Sequence, residues 1–238
     1  MPDDPLEQAK LAALAEFAAG AGHEINNPVA TIAGRAQQLL RGETDPAKRH
    51  ALATIVGQAY RIRDMIGDLM VFARPPEPEP VRFDLVSMAR DVVESQRENA
   101  GARGIELAIP ESTVFYVCAD RSQIAVALAE MLRNAIEASP ENGRVEIVCR
   151  EQDESIVCEV IDEGTGFLPE EREHAFDPFY SGRQAGRGLG FGLSKAWRIV
   201  TLAGGTIEID SSGNRTVVRI VLPRDSSIGD ESPRSAGR

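Results

Sequence analysis

The chain has 238 residues, of which 42% are apolar and 26% are charged, a balance typical of globular rather than fibrous or wholly disordered proteins. Asp and Glu number 37 against 26 Lys and Arg, and the net charge of −11 opposes binding to a nucleic-acid backbone. No apolar run reaches the roughly 18 residues that a membrane-spanning helix needs, and the acidic start lacks an apolar signal core. We therefore expect a cytoplasmic protein with no nucleic-acid partner and no membrane span.

Residues 1–74 are expected to form a hairpin of two long helices. Apolar residues recur with a helical period over about residues 6–40, and Gly42 then ends the first helix. Asp45 and Pro46 supply an N-cap and a first-turn proline for a second helix that runs to the end of this segment. A short loop between two long amphipathic helices predicts an antiparallel pair.

Each helix of this hairpin carries two columns of apolar residues. Two helices alone cannot cover such a wide stripe from water, so we expect two chains to pair their hairpins into a dimeric four-helix bundle. The columns consist of Ala18, Ile25, Ile32 and Leu39 with Leu14 and Ala21 in the first helix, and of Leu52, Ala59, Ile66 and Ala73 with Ile55, Ile62 and Leu69 in the second.

A spacer at 75–80 separates the hairpin from a second domain, because the stretch RPPEPEP alternates proline with glutamate and predicts a stiff, extended segment. Residues 81–223 mix helical and alternating patterns, which indicates an α/β sandwich of helices on a mixed sheet. The Ser-, Gly- and Arg-rich residues 224–238 are expected to be a disordered tail. Predicted helices cover about 85–98, 122–138 and 193–202, and predicted strands cover 105–109, 114–118, 145–150, 156–161, 206–209 and 217–222.

The motif HEINNP at residues 23–28 places a titratable pair beside a helix breaker. At about 100° per residue, His23 faces away from the apolar column, and Asn27 shares its face one turn later. Glu24 is near enough to orient the imidazole, whose second nitrogen is then a usable nucleophile. An isolated exposed histidine usually means nothing, but Pro28 breaks the local helical rule, and such breaks concentrate at functional sites.

Two further motifs place polar groups at the ends of predicted elements. Glu130 and Asn134 are one helical turn apart, and an oxygen pair at this spacing can hold Mg²⁺ together with water and phosphate, although such pairs are common. Asp162 ends an apolar strand, where its carboxylate can accept a hydrogen bond from an exocyclic amine such as that of adenine. Gly164 and Gly166 follow it, and a plain turn is the simpler interpretation of that pattern.

A glycine-rich run, GRGLGFGLS, directly precedes a predicted helix. Gly186, Gly188, Gly190 and Gly192 recur at every second position, which favours a phosphate-cradling backbone at the start of a helix. The run lacks the Lys-Ser/Thr of a P-loop and does not follow a first strand, as a dinucleotide fingerprint would.

Taken in order, the motifs HEINNP, E-x-x-x-N, D-x-G-x-G, F-D-P-F and G-x-G-x-G resemble those of the sensor histidine kinases, over about residues 10–223. The nitrogen-regulation type, with its HE-x-x-NP hairpin, is the most similar. This resemblance implies a dimerisation and histidine-phosphotransfer hairpin followed by an ATP-binding domain of the Bergerat fold. It also implies ATP and Mg²⁺ as cofactors, a homodimer, and the receiver domain of a response regulator as partner.

The resemblance also implies roles for individual residues. His23 matches the phosphoacceptor, Glu24 the base beside it, and Asn27 the residue that orients water for dephosphorylating the partner. Asn134, beside Glu130, matches the Mg²⁺ ligand, and Asp162 matches the adenine-binding carboxylate. The nucleotide-site glycines are matched by Gly164, Gly166, Gly186, Gly188 and Gly190. Phe176 and Phe179 match the aromatic pair that anchors the lid, and Arg183 matches a cation for the γ-phosphate. Glu130 stands where many members have asparagine, and Arg183 where many have lysine.

The function expected from this resemblance is autophosphorylation of His23 from ATP, transfer of the phosphoryl group to an aspartate of a response regulator, and the reverse phosphatase reaction. Because no sensor segment precedes residue 6, a separate sensor protein is the expected source of the signal, unless the chain is an excised core. Two alternatives stay open from the residues. One is an ATPase clamp or serine kinase of the same nucleotide-binding fold, favoured by Glu130, and the other is a non-catalytic nucleotide-binding scaffold.

Overall fold

The computed structural model describes residues 5–109, 113–178, 180, 190–212 and 215–225. These residues divide into two compact units. The first holds the chain up to Pro76 together with residues 190–191, and the second holds the described residues from Glu77 to 178, residue 180, and those from Gly192 onward. None of the helices in the described part of the chain is both long enough and apolar enough to cross a bilayer.

The first unit is a hairpin of two long helices, α1 (Pro5–Gly42) and α2 (Pro46–Ala73), as the periodicity predicts. Asp45 caps α2, because its carboxylate accepts hydrogen bonds from the backbone N–H groups of Ala47 at 2.8 Å and Lys48 at 3.3 Å. The predicted cap and the first-turn proline Pro46 are therefore both confirmed.

The buried face of the hairpin matches a predicted apolar column in α2 but not in α1, where the buried residues belong to neither predicted column. Val29 and Ala33 of α1 pack against Ala59 of α2, and Ile66 and Ala73 continue the buried column along α2. The predicted α1 column is at the surface of the single chain, with Ile25, Ile32 and Leu39 exposed, and so are Ile55 and Ile62 of the second α2 column.

The second unit is a five-stranded mixed sheet with helices packed on one face. The strand order is β2-β4-β5-β7-β6, with β2 parallel to β4 and every other pair antiparallel. The bounds are α3 Leu85–Gly101, β2 Glu106–Ala108, α4 Arg121–Ala138, β4 Arg144–Gln152, β5 Ser155–Asp162, α6 Gly192–Leu202, β6 Thr206–Ser212 and β7 Arg215–Pro223. This is the predicted α/β sandwich, and α3, α4 and α6 share one apolar core with the sheet.

Two short elements of this unit were not expected from the sequence. Strand β1 (Val81–Asp84) pairs antiparallel with β3 (Tyr116–Ala119) in a separate two-stranded ribbon. Helix α5 (Pro169–His174) begins with proline and glutamates, and the Glu171 carboxylate accepts a 2.8 Å hydrogen bond from the backbone N–H of Leu168. Both elements are too short for periodicity to reveal them.

The predicted boundary of the disordered tail, at residues 224–238, is wrong for its first two residues. The backbone N–H of Arg224 donates to the Glu154 carbonyl at 2.9 Å, and that of Asp225 donates to the Tyr116 carbonyl at 3.2 Å. The Asp225 carboxylate also lies 3.0 Å from the Arg82 guanidinium. These polar bonds extend the folded domain beyond the last apolar residue, and composition alone does not reveal them. The rest of the predicted tail lies outside the described residues.

Candidate functional site

The carboxylate of Asp162 lies at the carboxyl end of the central strand β5. The residue is only 3% exposed, and its Oδ1 accepts a 2.8 Å hydrogen bond from the backbone N–H of Gly164. A buried carboxylate that is fixed in this way presents a strong acceptor to whatever occupies the end of the strand. The sequence placed Asp162 at a strand terminus, and the structure has it there.

The chain after Asp162 needs glycine at two positions for steric reasons. A Cβ at Gly164 would lie 2.6 Å from Asp162 Oδ1 and 2.7 Å from the Ala138 carbonyl oxygen, so no side chain fits. Gly166 has a φ of 72°, and a Cβ there would lie 2.1 Å from the Ser211 hydroxyl oxygen. The turn therefore approaches its neighbours closely, while the binding role of these glycines stays a prediction.

The sequence reasoning missed Thr216, which lies directly opposite Asp162 in the register between β5 and β7. Thr216 is 2% exposed, and among the described residues its hydroxyl oxygen has no hydrogen-bond partner. A buried hydroxyl without a partner is costly, and it is a common sign of a group that bonds a ligand. Only the register between β5 and β7 brings Thr216 beside Asp162, and a single sequence does not show that register.

Helix α4 carries Asn134, which is half-buried and lies one turn before the helix end that contacts Gly164. This end of α4 is held by Arg103, whose guanidinium donates to the carbonyl oxygens of Ile136 and Ser139. These bonds satisfy carbonyl groups at the end of α4 and tie it to the turn that follows α3.

The carboxylate of Glu130, one turn before Asn134, is engaged by two cations. Lys195 of α6 forms an ion pair with it, and the Arg133 Nε lies 3.1 Å from its Oε2. This arrangement competes with direct coordination of a metal by Glu130, which the sequence motif predicts. Among the described residues no cluster of three or more His, Cys, Asp or Glu could hold a metal ion.

Two opposing effects act on the ionisation of Glu130. Burial alone would raise the pKa of its carboxyl, but the positive charges of Arg133 and Lys195 outweigh burial and lower the pKa below 4.5. Glu130 is therefore ionised at neutral pH.

In the hairpin, Glu24 and Asn27 are both exposed, as the angular count along α1 predicts for Asn27. Helix α1 continues through Pro28, and the Thr31 hydroxyl donates to the Asn27 carbonyl oxygen at 3.0 Å in the turn that follows. The backbone of His23 belongs to α1, but its side chain lies outside the described part of the chain, so its orientation stays a prediction.

Several other predicted residues lie outside the described part of the chain, namely Phe179, Arg183, Gly186 and Gly188. Gly190 is described and has a φ of 69°, a left-handed conformation that favours glycine. Phe176 is half-buried and packs against the apolar core of the second unit. The proposed pairing of Phe176 with Phe179 is thus untested.

Two family models match this chain, one over each unit. Residues 13–78 match the His Kinase A (phospho-acceptor) domain. Residues 119–226 match the histidine kinase-, DNA gyrase B- and HSP90-like ATPase domain. A sensor histidine kinase named ZraS, from Escherichia coli O157:H7, is 27% identical over 213 residues, which cover 89% of this chain and 46% of that protein.

Solved structures show the same architecture. Full-length ShkA in complex with AMPPNP has a TM-score of 0.76 at 23% identity, covering 88% of this chain and 46% of ShkA. The histidine kinase ThkA, solved with the response regulator protein TrrA, has a TM-score of 0.69 at 25% identity, covering 91% of this chain and 63% of ThkA.

The two domains in this order, together with these relatives, assign the chain to the sensor histidine kinases of two-component systems. The chain spans about half the length of the curated relatives that it matches first.

Proposed function

We propose that this chain is a protein histidine kinase that phosphorylates its own His23 from ATP and passes the phosphoryl group to an aspartate of a response regulator. The observation that carries the proposal lies at the end of β5, where the buried residues Asp162 and Thr216 stand opposite each other on neighbouring strands. The Thr216 hydroxyl has no hydrogen-bond partner among the described residues. The helical unit with the HEINNP motif supplies the acceptor.

The second unit offers groups that fit an adenine nucleotide. The Asp162 carboxylate accepts the exocyclic amine of adenine, and the Thr216 hydroxyl gains the hydrogen bond that it lacks among the described residues. Glycine at 164 and 166 lets the turn pack closely beside Asp162 and Thr216, the two side chains proposed to hold the adenine.

Asn134 is the residue that fits Mg²⁺, through its amide oxygen. Mg²⁺ is usually held by one or two protein oxygens together with water and the phosphates of the nucleotide, so a larger protein cage is not required. When bound, the ion neutralises charge on the transferring phosphoryl group. Arg183 is proposed to add a second positive charge, and Gly186, Gly188 and Gly190 to donate backbone N–H groups to the phosphates.

In the hairpin, the proposed reaction is attack by a His23 imidazole nitrogen on the γ-phosphorus of ATP. The bond from that phosphorus to the bridging oxygen breaks, ADP leaves, and the imidazole proton passes to Glu24. Asn27 is proposed to orient water for hydrolysis of the phosphorylated partner, since its amide is exposed on the same helix.

A homodimer is proposed because the exposed apolar column of the hairpin needs cover. Ile32 and Leu39 are 51% and 63% exposed in the single chain, and Ile25, Ile55 and Ile62 extend the same kind of surface. Burial of these side chains against a second hairpin stabilises both copies. The receiver domain of a response regulator, a separate sensor protein and a cytoplasmic location stay predictions.

Labelled ATP tests the proposal. The purified chain is incubated with ATP carrying the label on either the γ- or the α-phosphate, and the protein is then separated from nucleotide. We expect label from the γ-position only, with a bond that is labile in acid and stable in alkali, and none in the His23→Gln variant. Release of phosphate without labelled protein would instead favour an ATPase of the same fold.

A further inference from the structure

The contacts of Glu130 join two helices of the nucleotide-binding unit. Its side chain on α4 is 12% exposed and forms an ion pair with Lys195 on α6, whose side chain is 10% exposed. Arg133, one turn along α4, bonds the same carboxylate from a more exposed position. The pair is therefore largely shielded from water. Removing one partner of a shielded ion pair is strongly destabilising, because the other charge is left without its partner.

The first turn of α6 lies directly against this carboxylate. A Cβ at Gly192, the first residue of α6 and the last glycine of the GRGLGFG run, would lie 3.1 Å from Glu130 Oε2 and 3.3 Å from an Arg133 Nη2. A carboxylate near the amino-terminal end of a helix is also favoured by the helix dipole. The Glu130 carboxylate thus lies close to the first residue of α6 and is bonded to the same helix through Lys195.

The carboxylate oxygens of Glu130 are therefore already bonded to Lys195 and Arg133. A metal ion arriving at Glu130 would have to displace a lysine and an arginine, and it would stand beside their charges. A general base needs a free lone pair and a pKa near the working pH, whereas Arg133 and Lys195 bond the Glu130 carboxylate and hold its pKa below the ordinary value. Neither role suits Glu130 as the structure has it.

We propose that Glu130 and Lys195 form a positioning pair that fixes the first turn of α6 against the face of α4 carrying Asn134. The pair sets the place where the glycine-rich run enters its helix, and it leaves the metal to Asn134. Glu130 acts through Lys195 and is not itself a magnesium ligand. This inference rests on the proposed binding of ATP with Mg²⁺ by this unit.

The test is a double-mutant cycle on nucleotide binding by the whole chain. Glu130→Gln, Lys195→Met and the double variant are compared with the wild type, with Glu94→Gln and Lys48→Met as controls at exposed sites outside the pair. The dissociation constant of ATP is measured by calorimetry at saturating Mg²⁺, and the Mg²⁺ concentration giving half-maximal ATP binding is measured separately. Thermal unfolding of each variant fixes a temperature at which all are folded.

We expect each single change to weaken ATP binding about tenfold and the double change to be no worse than the poorer single one, since paired residues are not additive. The Mg²⁺ requirement should be the same in Glu130→Gln and Lys195→Met. A rise in the Mg²⁺ requirement confined to Glu130→Gln would make Glu130 a metal ligand and overturn the inference. Unchanged ATP affinity in folded variants would overturn it as well, because it would leave the pair a purely structural role.

The wild-type measurement separates this inference from the proposed function. A wild-type chain that binds no ATP overturns both. A wild-type chain that binds ATP, with variants that behave additively, overturns the positioning pair alone and leaves the proposed function standing.

Discussion

In the candidate nucleotide site, Thr216 and Asp162 each offer one polar side-chain group to a ligand. The Thr216 hydroxyl is buried and has no hydrogen-bond partner among the described residues. Removing it therefore breaks no hydrogen bond that the described part of the chain contains. Its neighbour Asp162 already bonds the Gly164 backbone N–H. The two side chains should therefore differ in what their loss does to the folded protein, although both are proposed to contact the nucleotide.

Replacing each of the two side chains separates binding from stability. Thr216→Val should weaken ATP binding about tenfold without lowering the free energy of unfolding, because it removes an unsatisfied buried hydroxyl. Asp162→Asn should weaken ATP binding more, and it should also destabilise the fold. Calorimetric titration with ATP and denaturant unfolding measure the two effects. A Thr216→Val protein with full ATP affinity would remove the hydroxyl from the site.

The glycine at 164 should tolerate no side chain. Gly164→Ala would drive a methyl group into Asp162 Oδ1 and the Ala138 carbonyl oxygen, so we expect a loss of roughly 1–3 kcal/mol in the free energy of unfolding together with weaker ATP binding. Gly34→Ala is the matched control, because no atom lies within 4 Å of its added Cβ in the exposed part of α1. That control should be neutral or slightly stabilising. Equal effects of the two changes would contradict the packing described here.

The ion pair of Glu130 gives the stability a pH dependence of known sign. The pKa of its carboxyl is lower in the folded chain than the ordinary 4.5, so its contribution is present above pH 4.5 and is lost as the pH falls through the lowered pKa. The free energy of unfolding of the wild type minus that of Glu130→Gln should be largest near neutral pH and shrink on acidification below 4.5. A difference that grew in acid would mean that the folded state favours the protonated carboxyl.

At the scale of elements, the hairpin carries its own prediction. Ile32 and Ile62 are 51% and 41% exposed in the single chain, and the proposed dimer covers them. A buried glutamate without a partner is costly, so Ile32→Glu should convert the dimer to monomers and lower the thermal unfolding midpoint. Gln38→Glu adds the same charge at an exposed polar position of α1 and should leave the dimer intact. Light scattering on the eluting protein gives the mass, and a dimeric Ile32→Glu chain would contradict the bundle.

The long, periodic elements could be predicted from the sequence because each repeats one physical signal many times. Helices α1 and α2 carry apolar columns over many turns, and the cap at Asp45 fixes where α2 starts. Strand β1 and helix α5 have four and six residues, too few for a period to show, and β1 depends on pairing with the distant β3. The column assignment did not say which side of each helix faces the partner helix of the same chain.

The candidate site divides in the same way. Asp162, Gly164 and Asn134 could be named because their motifs are local and resemble those of a known family. Thr216 could not, because its relation to Asp162 exists only in the register of β5 with β7. The Glu130–Lys195 pair was also missed, since it joins residues 65 positions apart in the sequence through the packing of α4 on α6.

At the scale of the whole molecule, the chain combines a histidine-bearing helical unit with a nucleotide-binding unit, each recognised by its own family model. Neither unit alone accounts for the proposed reaction, because the acceptor and the nucleotide groups lie in different units. The spacer around residues 75–80 connects them covalently, and the N–H of Glu79 at its end donates to the Asp120 carboxylate that caps α4, at 3.0 Å.

The most direct measurement is the location of the phosphate after incubation of the purified chain with ATP and Mg²⁺. The labelled protein is digested under alkaline conditions, and the phosphorylated peptide is identified by mass spectrometry. We expect one labelled peptide, containing His23, whose phosphate is lost on brief treatment with acid and which is absent from the His23→Gln and Asp162→Asn proteins. A phosphate on a serine or threonine, or ATP consumption with no labelled peptide, would contradict the assignment of this chain as a histidine kinase that phosphorylates itself.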